Sequence, residues 1–481
     1  MYANLGNLTN VSNFQFRPTV DATPVTRDVF FSDKNWHTIL TGGVGLGGRG
    51  VYALDITGAA NSSTPATAPD KVLWEFDSDI SVASGCVTNF GTCRATDLGY
   101  TVSQPNIGRL NNGEWVVLVS NGYFPDCSKP DIPTVDKPTC SAVAAQAPKD
   151  TSGNPYSALF VLDAETGKMI AELKTPTGIS GVTSFGLATP VLGDYNADQV
   201  DDVAFAGDLQ GNLWRFDFSS SSPSSWTVTL AYKGMTDASG NQGLQPITTM
   251  PRMFPDPATG SFMVVFGTGK YLGAGDNSSN AVQGIYGIRD TGACSTAGGC
   301  AVTQSQLVQQ TLAEQMVDPP NPYQGATIRT DTDNPVPIDK NGWYIPLKIM
   351  DSTGAAQVNS GERVVVTPGA IFSSNMVIVQ TLIAGAAGSD PCNPSTQGAV
   401  MVFNTNNGGP GSGVSSLGGA PVVGGRINNA RTSGRVPVVS ALGGGQFYVP
   451  GMSLSNSKSP GPFTGDAPIW RRRSWQGIQQ N

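Results

Sequence analysis

Short runs of alternating apolar and polar residues, each ending in an Asp or Asn turn, recur along the chain. One phrase occurs five times, as GVYALDITG (50–58), ALFVLDAETG (158–167), GNLWRFDFS (211–219), GIYGIRDTG (284–292) and VMVFNTNNG (400–408). A period of two indicates a β-strand, and an Asp or Asn directly after it is typical of a turn closed by its own side chain. The pattern therefore predicts antiparallel β-structure built from one repeated unit.

A second phrase stands before each of these runs and joins two short strands through a Gly, Asn or Asp turn. Its marker is a proline near the start of the first strand, at Pro24, Pro105, Pro190, Pro251, Pro368 and Pro437. Proline is tolerated at the first residue of a strand because no ladder hydrogen bond is lost there. The unit is therefore three or four antiparallel strands, repeated five or six times.

Radial repetition accounts for this pattern better than a β-sandwich, because each blade of a propeller presents the same edge to the next blade. We predict an all-β fold, a β-propeller of six to seven blades formed by residues 1–481 as a single domain. Bare blades span roughly 40–50 residues, whereas successive prolines are 61 to 117 residues apart. Insertions are therefore expected in the polar, Pro-rich or Gly-rich stretches near 124–155, 293–340 and 405–428.

The sharpest chemical signal is the turn of the third repeat, which reads DYNADQVDD over residues 194–202. Oxygens recur at alternate positions of this turn, and Ca²⁺ prefers six to eight hard oxygen ligands in flexible geometry. The sequence predicts a hairpin-embedded calcium site with four side-chain ligands and one backbone carbonyl. These ligands are Asp194, Asn196, Asp198, Val200 (through its carbonyl) and Asp202.

This loop differs from an EF-hand at its twelfth position, which is Phe205 instead of the bidentate glutamate. Its sixth position is Gln199, where such loops usually carry glycine for a left-handed turn, so reduced affinity is expected. The alternative is a solvated acidic turn without metal, since Asp and Asn are common in turns. Four carboxylates within nine residues, at positions 194, 198, 201 and 202, favour calcium because they would repel one another without a cation.

Composition and charge exclude several classes of partner. Charged residues make up only 13% of the chain, the net charge is −8, and no basic face is evident, so nucleic acid is not expected as a partner. No stretch approaches the ~20 apolar residues of a transmembrane helix. The first residues lack the basic and apolar regions of a signal peptide, so for an exported protein we expect that signal upstream.

The seven cysteines fall into three close pairs with one left over. Pairs that close short loops favour disulfides of an oxidising compartment, and metal ligation is the weaker alternative because no C-x-x-C occurs. The predicted local pairs are Cys86–Cys93, Cys127–Cys140 and Cys294–Cys300, which leaves Cys392 unpaired or paired outside the chain.

His37 is the only histidine. Nucleophilic catalysis would need it beside a Ser or Cys and a carboxylate, and nothing in the sequence assembles that set. We therefore predict a buried, hydrogen-bonded structural histidine and no catalytic residues.

An ordered set of phrases along the chain resembles the C-terminal propeller domain of the PilY family. The set includes WHTILTGGVGLGGRGVYALDIT, LGYTVSQPNIGRLNNGEWVVLVSNGY, ATPVLGDYNADQVDDVAFAGDLQGNLWRFD, QPITTMPRMF, FGTGKYL, GWYIPL and GERVVVTP. The resemblance covers nearly the full chain. It also implies a calcium loop that matches the five predicted ligands one for one, although Gln199 replaces the usual glycine.

The family resemblance implies a function in binding rather than catalysis. It implies type IV pilus biogenesis, tip adhesion and twitching motility, with calcium controlling the balance between pilus extension and retraction. The implied partners are minor pilins of the pilus tip complex and a host or abiotic surface receptor. The implied location is the bacterial surface at the pilus tip, in association with the outer membrane or periplasm.

Two alternatives remain beside this function. A quinoprotein-dehydrogenase-like propeller enzyme also uses phrases similar to LDxxTG, but its chemistry needs a cofactor on the central axis and a carboxylate nearby. Adjacent cysteines, a frequent feature of such enzymes, do not occur in the sequence. A purely structural assembly scaffold is the other alternative.

Overall fold

Strands and tight turns make up the described part of the chain. The computed structural model describes residues 19–58, 69–124, 147–272, 276, 278–292, 297–298, 300–316, 327–350, 360–371, 375–383, 397–411, 416–417, 420–428, 440–442, 446–448 and 463–464. No α-helix occurs within these residues, and short 3₁₀ turns lie at Pro69–Lys71, Ala95–Asp97, Pro223–Ser225 and Gln304–Gln306. None of the helices found there is long and apolar enough to cross a membrane.

The described strands form six sheets, which we call blades 1 to 6 in chain order. Blade 1 contains β1 (Val25–Phe30), β2 (Trp36–Gly43), β3 (Gly50–Asp55) and β4 (Val72–Asp77). Blade 2 contains β6 (Asn106–Arg109), β7 (Trp115–Ser120), β8 (Ala158–Asp163) and β9 (Met169–Lys174), with β5 (Val87–Thr88) parallel to β9. Blade 3 contains β10 (Val191–Gly193), β11 (Val203–Gly207), β12 (Leu213–Asp217) and β13 (Thr227–Tyr232).

The later blades carry additional strands. Blade 4 contains β14 (Arg252–Asp256), β15 (Ser261–Gly267), β16 (Gly284–Arg289) and β20 (Gly342–Pro346), with β17 (Val308–Gln309) parallel to β20. Blade 5 contains β21 (Gly369–Ile371), β22 (Met376–Gln380), β23 (Gln397–Asn404) and β25 (Ala420–Asn428), extended by β19 (Thr327–Asp331), β18 (Leu312–Met316) and β24 (Ser416–Leu417). Blade 6 contains β26 (Ser440–Leu442), β27 (Gln446–Tyr448) and β28 (Phe463–Thr464).

Blades 1 to 5 pack face to face in chain order, as in a propeller. The first strands contact one another in sequence, β1 with β6, β6 with β10 and β10 with β14. On β7, Val117 and Val119 join the core shared with blade 1, whereas Val116 and Leu118 join the core shared with blade 3. Because both faces of a blade are buried, its middle strands are nearly continuous apolar runs. The predicted all-β propeller is therefore confirmed, and its repeating unit has four principal strands in blades 1 to 5.

The repeated prolines mark the contacts between first strands. Pro24, Pro105, Pro190, Pro251 and Pro368 each stand immediately before the first strand of their blade, and Pro437 lies outside the described residues. The backbone N–H of Gln104 donates to Thr189 Oγ1 of the next blade at 2.9 Å. Met250 N–H likewise donates to Thr367 Oγ1 at 3.4 Å. The Thr-Pro phrase thus links one blade to the next.

The closing phrases form the predicted Asx-type turns. In all five copies the side chain of the Asp or Asn accepts a backbone N–H two or three residues further on, at 2.7–3.0 Å. Two of the glycines that follow have a second role. Gly167 and Gly408 have φ of 69° and 76°, and a Cβ at either position would overlap an indole, that of Trp74 or Trp343. Each tryptophan comes from the preceding blade, so these glycines allow the blades to approach.

Two of the stretches in which insertions were predicted contain strands. The stretch 293–340 contains β17, β18 and β19, and the stretch 405–428 ends in β25, the fourth strand of blade 5. The alternating apolar pattern of a strand is weak in β18 and β19 because these strands carry Glu314 and Arg329 inside the fold. The two charges form an ion pair of 3.0 Å. Strand β25 is Gly-rich because its backbone passes close to β23, where a Cβ at Gly424 would overlap the carbonyl of Val400. Of the stretch 124–155, residues 125–146 lie outside the described chain.

One predicted disulfide is present, between Cys86 and Cys93. Cys300 is also disulfide-bonded. The other four cysteines, Cys127, Cys140, Cys294 and Cys392, lie outside the described residues. The loop closed by Cys86 and Cys93 contains β5, so this disulfide holds an additional strand against the edge of blade 2.

Candidate calcium site

The candidate ligands lie in the first hairpin of blade 3, between β10 and β11. Gly193 and Val203 are the last paired residues of these two strands, and the backbone N–H of Asp202 donates to Gly193 O at 2.8 Å. The turn 194–202 therefore projects from one end of the blade, with Asn196 and Asp198 exposed and Asp202 buried. This confirms the predicted hairpin context, because strands flank the loop on both sides.

Asp194 is the centre around which the loop folds. Its Oδ1 accepts the backbone N–H groups of Ala197 at 2.7 Å and Asn196 at 3.2 Å, and its Oδ2 accepts that of Gln199 at 2.8 Å. These bonds turn the backbone around the carboxylate. Asp194 Oδ2 keeps a lone pair, since a carboxylate oxygen can accept two bonds.

Asn196 and Asp198 hold the exposed part of the turn. Asn196 Oδ1 accepts the backbone N–H of Asp198 at 2.9 Å, and the Asn196 amide donates to Asp198 Oδ2 at 3.0 Å. Asp198 Oδ1 accepts the N–H of Val200 at 2.8 Å. Each of these oxygens accepts one bond and retains capacity for another.

Asp202 closes the loop from its buried end. Its Oδ2 accepts the backbone N–H of Tyr195 at 2.9 Å, and its Oδ1 accepts the side-chain amide of Asn111 at 3.0 Å. Burial raises the pKa of Asp202, and the nearby carboxylates of Asp194 and Asp198 raise it further against the lowering effect of the Asn111 hydrogen bond. The donor set is therefore oxygen-rich and electrostatically crowded, which fits a hard cation.

Asp201 also has partners outside the turn, in blades 1 and 2. Its backbone N–H donates to Arg109 O at 2.7 Å, its carboxylate accepts the N–H of Arg109 at 3.3 Å, and it lies 3.9 Å from the Arg27 guanidinium. Burial raises its pKa to about 6. The charges of Asp194 and Asp202 also raise this pKa, whereas Arg27 lowers it. Asp201 thus joins blade 3 to blades 1 and 2 and takes part in the mutual repulsion of the carboxylates.

The described chain contains no ready-made metal cluster of three or more His, Cys, Asp or Glu side chains. The five predicted ligands include an amide and a backbone carbonyl, which belong to the oxygen chemistry of calcium. Their side chains lie in one nine-residue turn, and four of them, Asp194, Asn196, Asp198 and Asp202, offer oxygens with remaining acceptor capacity. The residues present therefore fit Ca²⁺ by the chemistry of their donors, and calcium binding stays a prediction.

The left-handed turn expected at the sixth loop position is present. Gln199 has φ of 73° and Ala197 has φ of 61°, both in the region that side chains with a Cβ adopt at a cost. Two strained residues within three positions indicate that the hydrogen bonds to Asp194 determine the shape of the loop.

Replacing Gln199 by glycine is expected to raise the free energy of unfolding by about 1 kcal/mol, because the left-handed backbone no longer opposes a Cβ. Denaturant titration measures this change. Gln210→Gly is the matched control, since Gln210 also lies in a hairpin turn of blade 3 but does not have a positive φ. If Gln199→Gly destabilises the protein as much as Gln210→Gly does, the claim that the backbone is strained at Gln199 is wrong.

His37 is hydrogen-bonded as predicted but only partly buried, with 19% of its side chain exposed. Its Nδ1 lies 2.9 Å from Asp55 and its Nε2 lies 3.1 Å from Asp33, and the ring stacks on Phe31. Burial alone would lower the pKa of His37, but the hydrogen bonds and charges of Asp55 and Asp33 outweigh it and raise that pKa. Because ionised carboxylates only accept, both ring nitrogens donate when the imidazole is protonated.

This arrangement predicts a pH-dependent contribution to stability. A raised folded-state pKa means that the stabilisation is fully present below the unfolded value of about 6.5 and is lost as the pH rises through the folded pKa. His37→Gln is therefore expected to lower the melting temperature more at pH 5 than at pH 8.5. An equal loss at the two pH values would show that the imidazole contributes only through packing.

Five sheets with four principal strands each and a sixth sheet of three strands, with the first strands of blades 1 to 4 in sequential contact, define a β-propeller that carries an oxygen-rich turn on its third blade. Residues 9–131 and 126–321 match the family model described as the PilY1 beta-propeller domain. The chain belongs to this family, as its sequence phrases predicted.

Relatives and a solved structure agree with this assignment. The type IV pilus biogenesis factor PilY1 of Pseudomonas aeruginosa strain PAO1 is 32% identical over 401 residues, which cover 78% of this chain and 29% of that protein. A PilY1 homolog of Xylella fastidiosa is 29% identical over 404 residues, covering 80% and 23%. The crystal structure of the P. aeruginosa PilY1 C-terminal domain matches with a TM-score of 0.63 and 27% identity, over 89% of this chain and 82% of that one. The chain spans less than a third of these curated relatives.

Proposed function

We propose that this chain is the calcium-binding propeller of a type IV pilus biogenesis factor and acts by binding, not by catalysis. The observation that supports this most strongly is the combination of family membership with the oxygen-rich turn 194–202. The curated relatives are named as pilus biogenesis factors. The disulfide between Cys86 and Cys93 agrees with an exported protein, because disulfides persist in oxidising compartments.

In this proposal Asp194, Asn196, Asp198, the Val200 carbonyl and Asp202 hold one Ca²⁺. Bound calcium supplies positive charge that relieves the repulsion among the three carboxylates and gives their oxygens a common partner. Asp194 keeps the turn closed through its bonds to Ala197 and Gln199. Asp202 connects the turn to the buried end of the blade.

Residues in and beside the loop contact both neighbouring blades. Tyr195 packs against Phe262 of blade 4 with ring centroids 4.8 Å apart, and Gly193 approaches Met253 of the same blade. On the other side, Leu110 of blade 2 pairs with Asp201. A change in the conformation of the turn 194–202 would therefore alter its contacts with both adjacent blades, which supports a regulatory role for calcium.

We propose that this regulation sets the balance between pilus extension and retraction, and with it surface attachment and twitching motility. The proposed partners are minor pilins of the pilus tip complex and a receptor on a host or abiotic surface. The proposed location is the bacterial surface at the pilus tip, in association with the outer membrane or periplasm. These partners suit a propeller because its exposed turns offer several separate contact surfaces.

Pilus counts and twitching zones in the native bacterium test the proposal. Cells with Asp202→Asn are expected to show altered piliation and reduced twitching, with normal amounts of the protein. Asp201→Asn is the matched control, because it makes the same chemical change one residue away on a side chain that faces Arg109 and Arg27. Wild-type behaviour in Asp202→Asn, or equal defects in both variants, would argue against calcium regulation.

A separate assay addresses the enzymatic alternative. The purified protein is mixed with a quinone cofactor and its absorbance spectrum is recorded. The proposed binding function predicts no stoichiometric uptake, whereas tight uptake with a red-shifted absorbance would favour a dehydrogenase.

A further inference from the structure

The carboxylate that closes the candidate calcium loop is held by a residue of another blade. Asn111 lies in the turn between β6 and β7 of blade 2, 91 positions from Asp202 in the sequence. Its side-chain nitrogen donates to Asp202 Oδ1 at 3.0 Å and to Phe218 O at 3.1 Å. The amide has two N–H groups, so each acceptor receives one and the amide orientation is fixed.

The position of Asn111 is itself determined by backbone contacts between the two blades. Leu110 and Asp201 form a parallel bridge, and Asp201 N–H donates to Arg109 O at 2.7 Å. Within its own turn, Leu110 N–H donates to Glu114 O at 3.1 Å and Gly113 N–H donates to Leu110 O at 2.9 Å. The amide therefore reaches Asp202 from a rigid turn.

We infer that Asn111 is a positioning residue for the proposed calcium site and makes calcium affinity depend on the contact between blades 2 and 3. This inference rests on the proposed function. The Asn111 amide donates to one oxygen of Asp202 and the Tyr195 N–H donates to the other, so hydrogen bonds from two sides fix the orientation of the carboxylate. Hydrogen-bond partners that orient a metal ligand typically change metal affinity by about 10–100-fold when removed.

Calorimetric titration of the purified protein with CaCl₂ tests the inference. Asn111→Ala is expected to weaken calcium binding about tenfold, the lower end of that range. Asn111→Leu keeps the approximate volume without a donor and is expected to lose affinity equally, so it replaces the alanine variant if that variant unfolds. The control is Asn112→Ala, because the Asn112 amide contacts Glu114 in the same turn and not the loop. This control is expected to stay within about twofold of the wild type, because it leaves the bonds to Asp202 in place.

Melting temperatures in excess chelator and in excess CaCl₂ provide the second measurement. The calcium-induced rise in melting temperature is expected to shrink for Asn111→Ala and to stay at the wild-type value for Asn112→Ala, because weaker binding gives less stabilisation. Wild-type affinity in both Asn111 variants, or an equal loss in Asn112→Ala, would overturn the inference while leaving the calcium site intact. A wild-type protein that binds no calcium would overturn the proposed calcium function and this inference with it.

Discussion

Replacing Arg329 by methionine is expected to lower the free energy of unfolding by about 3–5 kcal/mol, the cost of removing one partner from a buried ion pair. Arg329 is fully buried, and its guanidinium donates to both oxygens of Glu362, at 2.6 and 2.9 Å. A third bond of 3.0 Å reaches Glu314. Methionine fills much of the same space but leaves the Glu362 carboxylate buried without its cation.

Chemical denaturation measures this effect, and Arg426→Met provides the matched control. Arg426 also pairs with Glu314, at 3.4 Å, but its side chain is 25% exposed. Its loss is expected to cost about 1 kcal/mol or less. The double replacement Arg329→Met with Glu362→Leu is expected to recover part of the stability, because no unpaired charge remains. If Arg329→Met is as stable as Arg426→Met, the buried ion pair between Arg329 and Glu362 does not have the expected stabilising role.

Asp208→Ala is expected to destabilise the fold by at least about 3 kcal/mol, because each buried donor left without an acceptor costs about 1–3 kcal/mol. Asp208 is completely buried in blade 3, and five donors reach its carboxylate at 2.7–2.9 Å. These donors are the backbone N–H groups of Gln210 and Asn212 and the side chains of Ser184, Asn212 and Trp214.

The chain supplies an exposed copy of the same turn as a control. Asp237 begins the sequence DASGN and accepts the N–H groups of Ser239 and Asn241 and the Asn241 amide, at 2.8–3.1 Å. Water can replace the lost acceptor in Asp237→Ala, so a much smaller loss of stability than that of Asp208→Ala is expected. Similar losses at the buried and exposed positions would show that the turn, and not the buried network, determines the effect.

The architecture could be predicted from the sequence because its signals are local. A closing Asp or Asn forms its turn with residues two or three positions away, as Asp163 does with Thr166. A proline before the first strand removes no ladder bond wherever it occurs, as at Pro190. Repetition of both signals indicated radial symmetry. The turn 194–202 was predictable for the same reason, since all its proposed ligands come from one short segment.

Contacts between distant segments could not be predicted in this way. Strand β19 lies in a stretch for which only an insertion was predicted, and Glu362, which neutralises the charge of Arg329 on this strand, is 33 residues away. No local sequence signal places Asn111 near the candidate calcium loop, since only the packing of blade 2 on blade 3 brings it there. The bridge between Asp201 and Leu110 and the ion pair between Asp201 and Arg27 likewise depend on blade packing. The repeated D-x-x-G-N turn was the signal that could have identified Asp208.

Calorimetric titration of CaCl₂ into the purified, chelator-treated protein tests the central claim most directly. The wild type is expected to bind one Ca²⁺ per chain, Asp201→Asn to bind with similar affinity, and Asp202→Asn to lose binding, because only Asp202 is a proposed ligand. No heat from the wild type, or unchanged binding by Asp202→Asn, would contradict a calcium site in the turn 194–202.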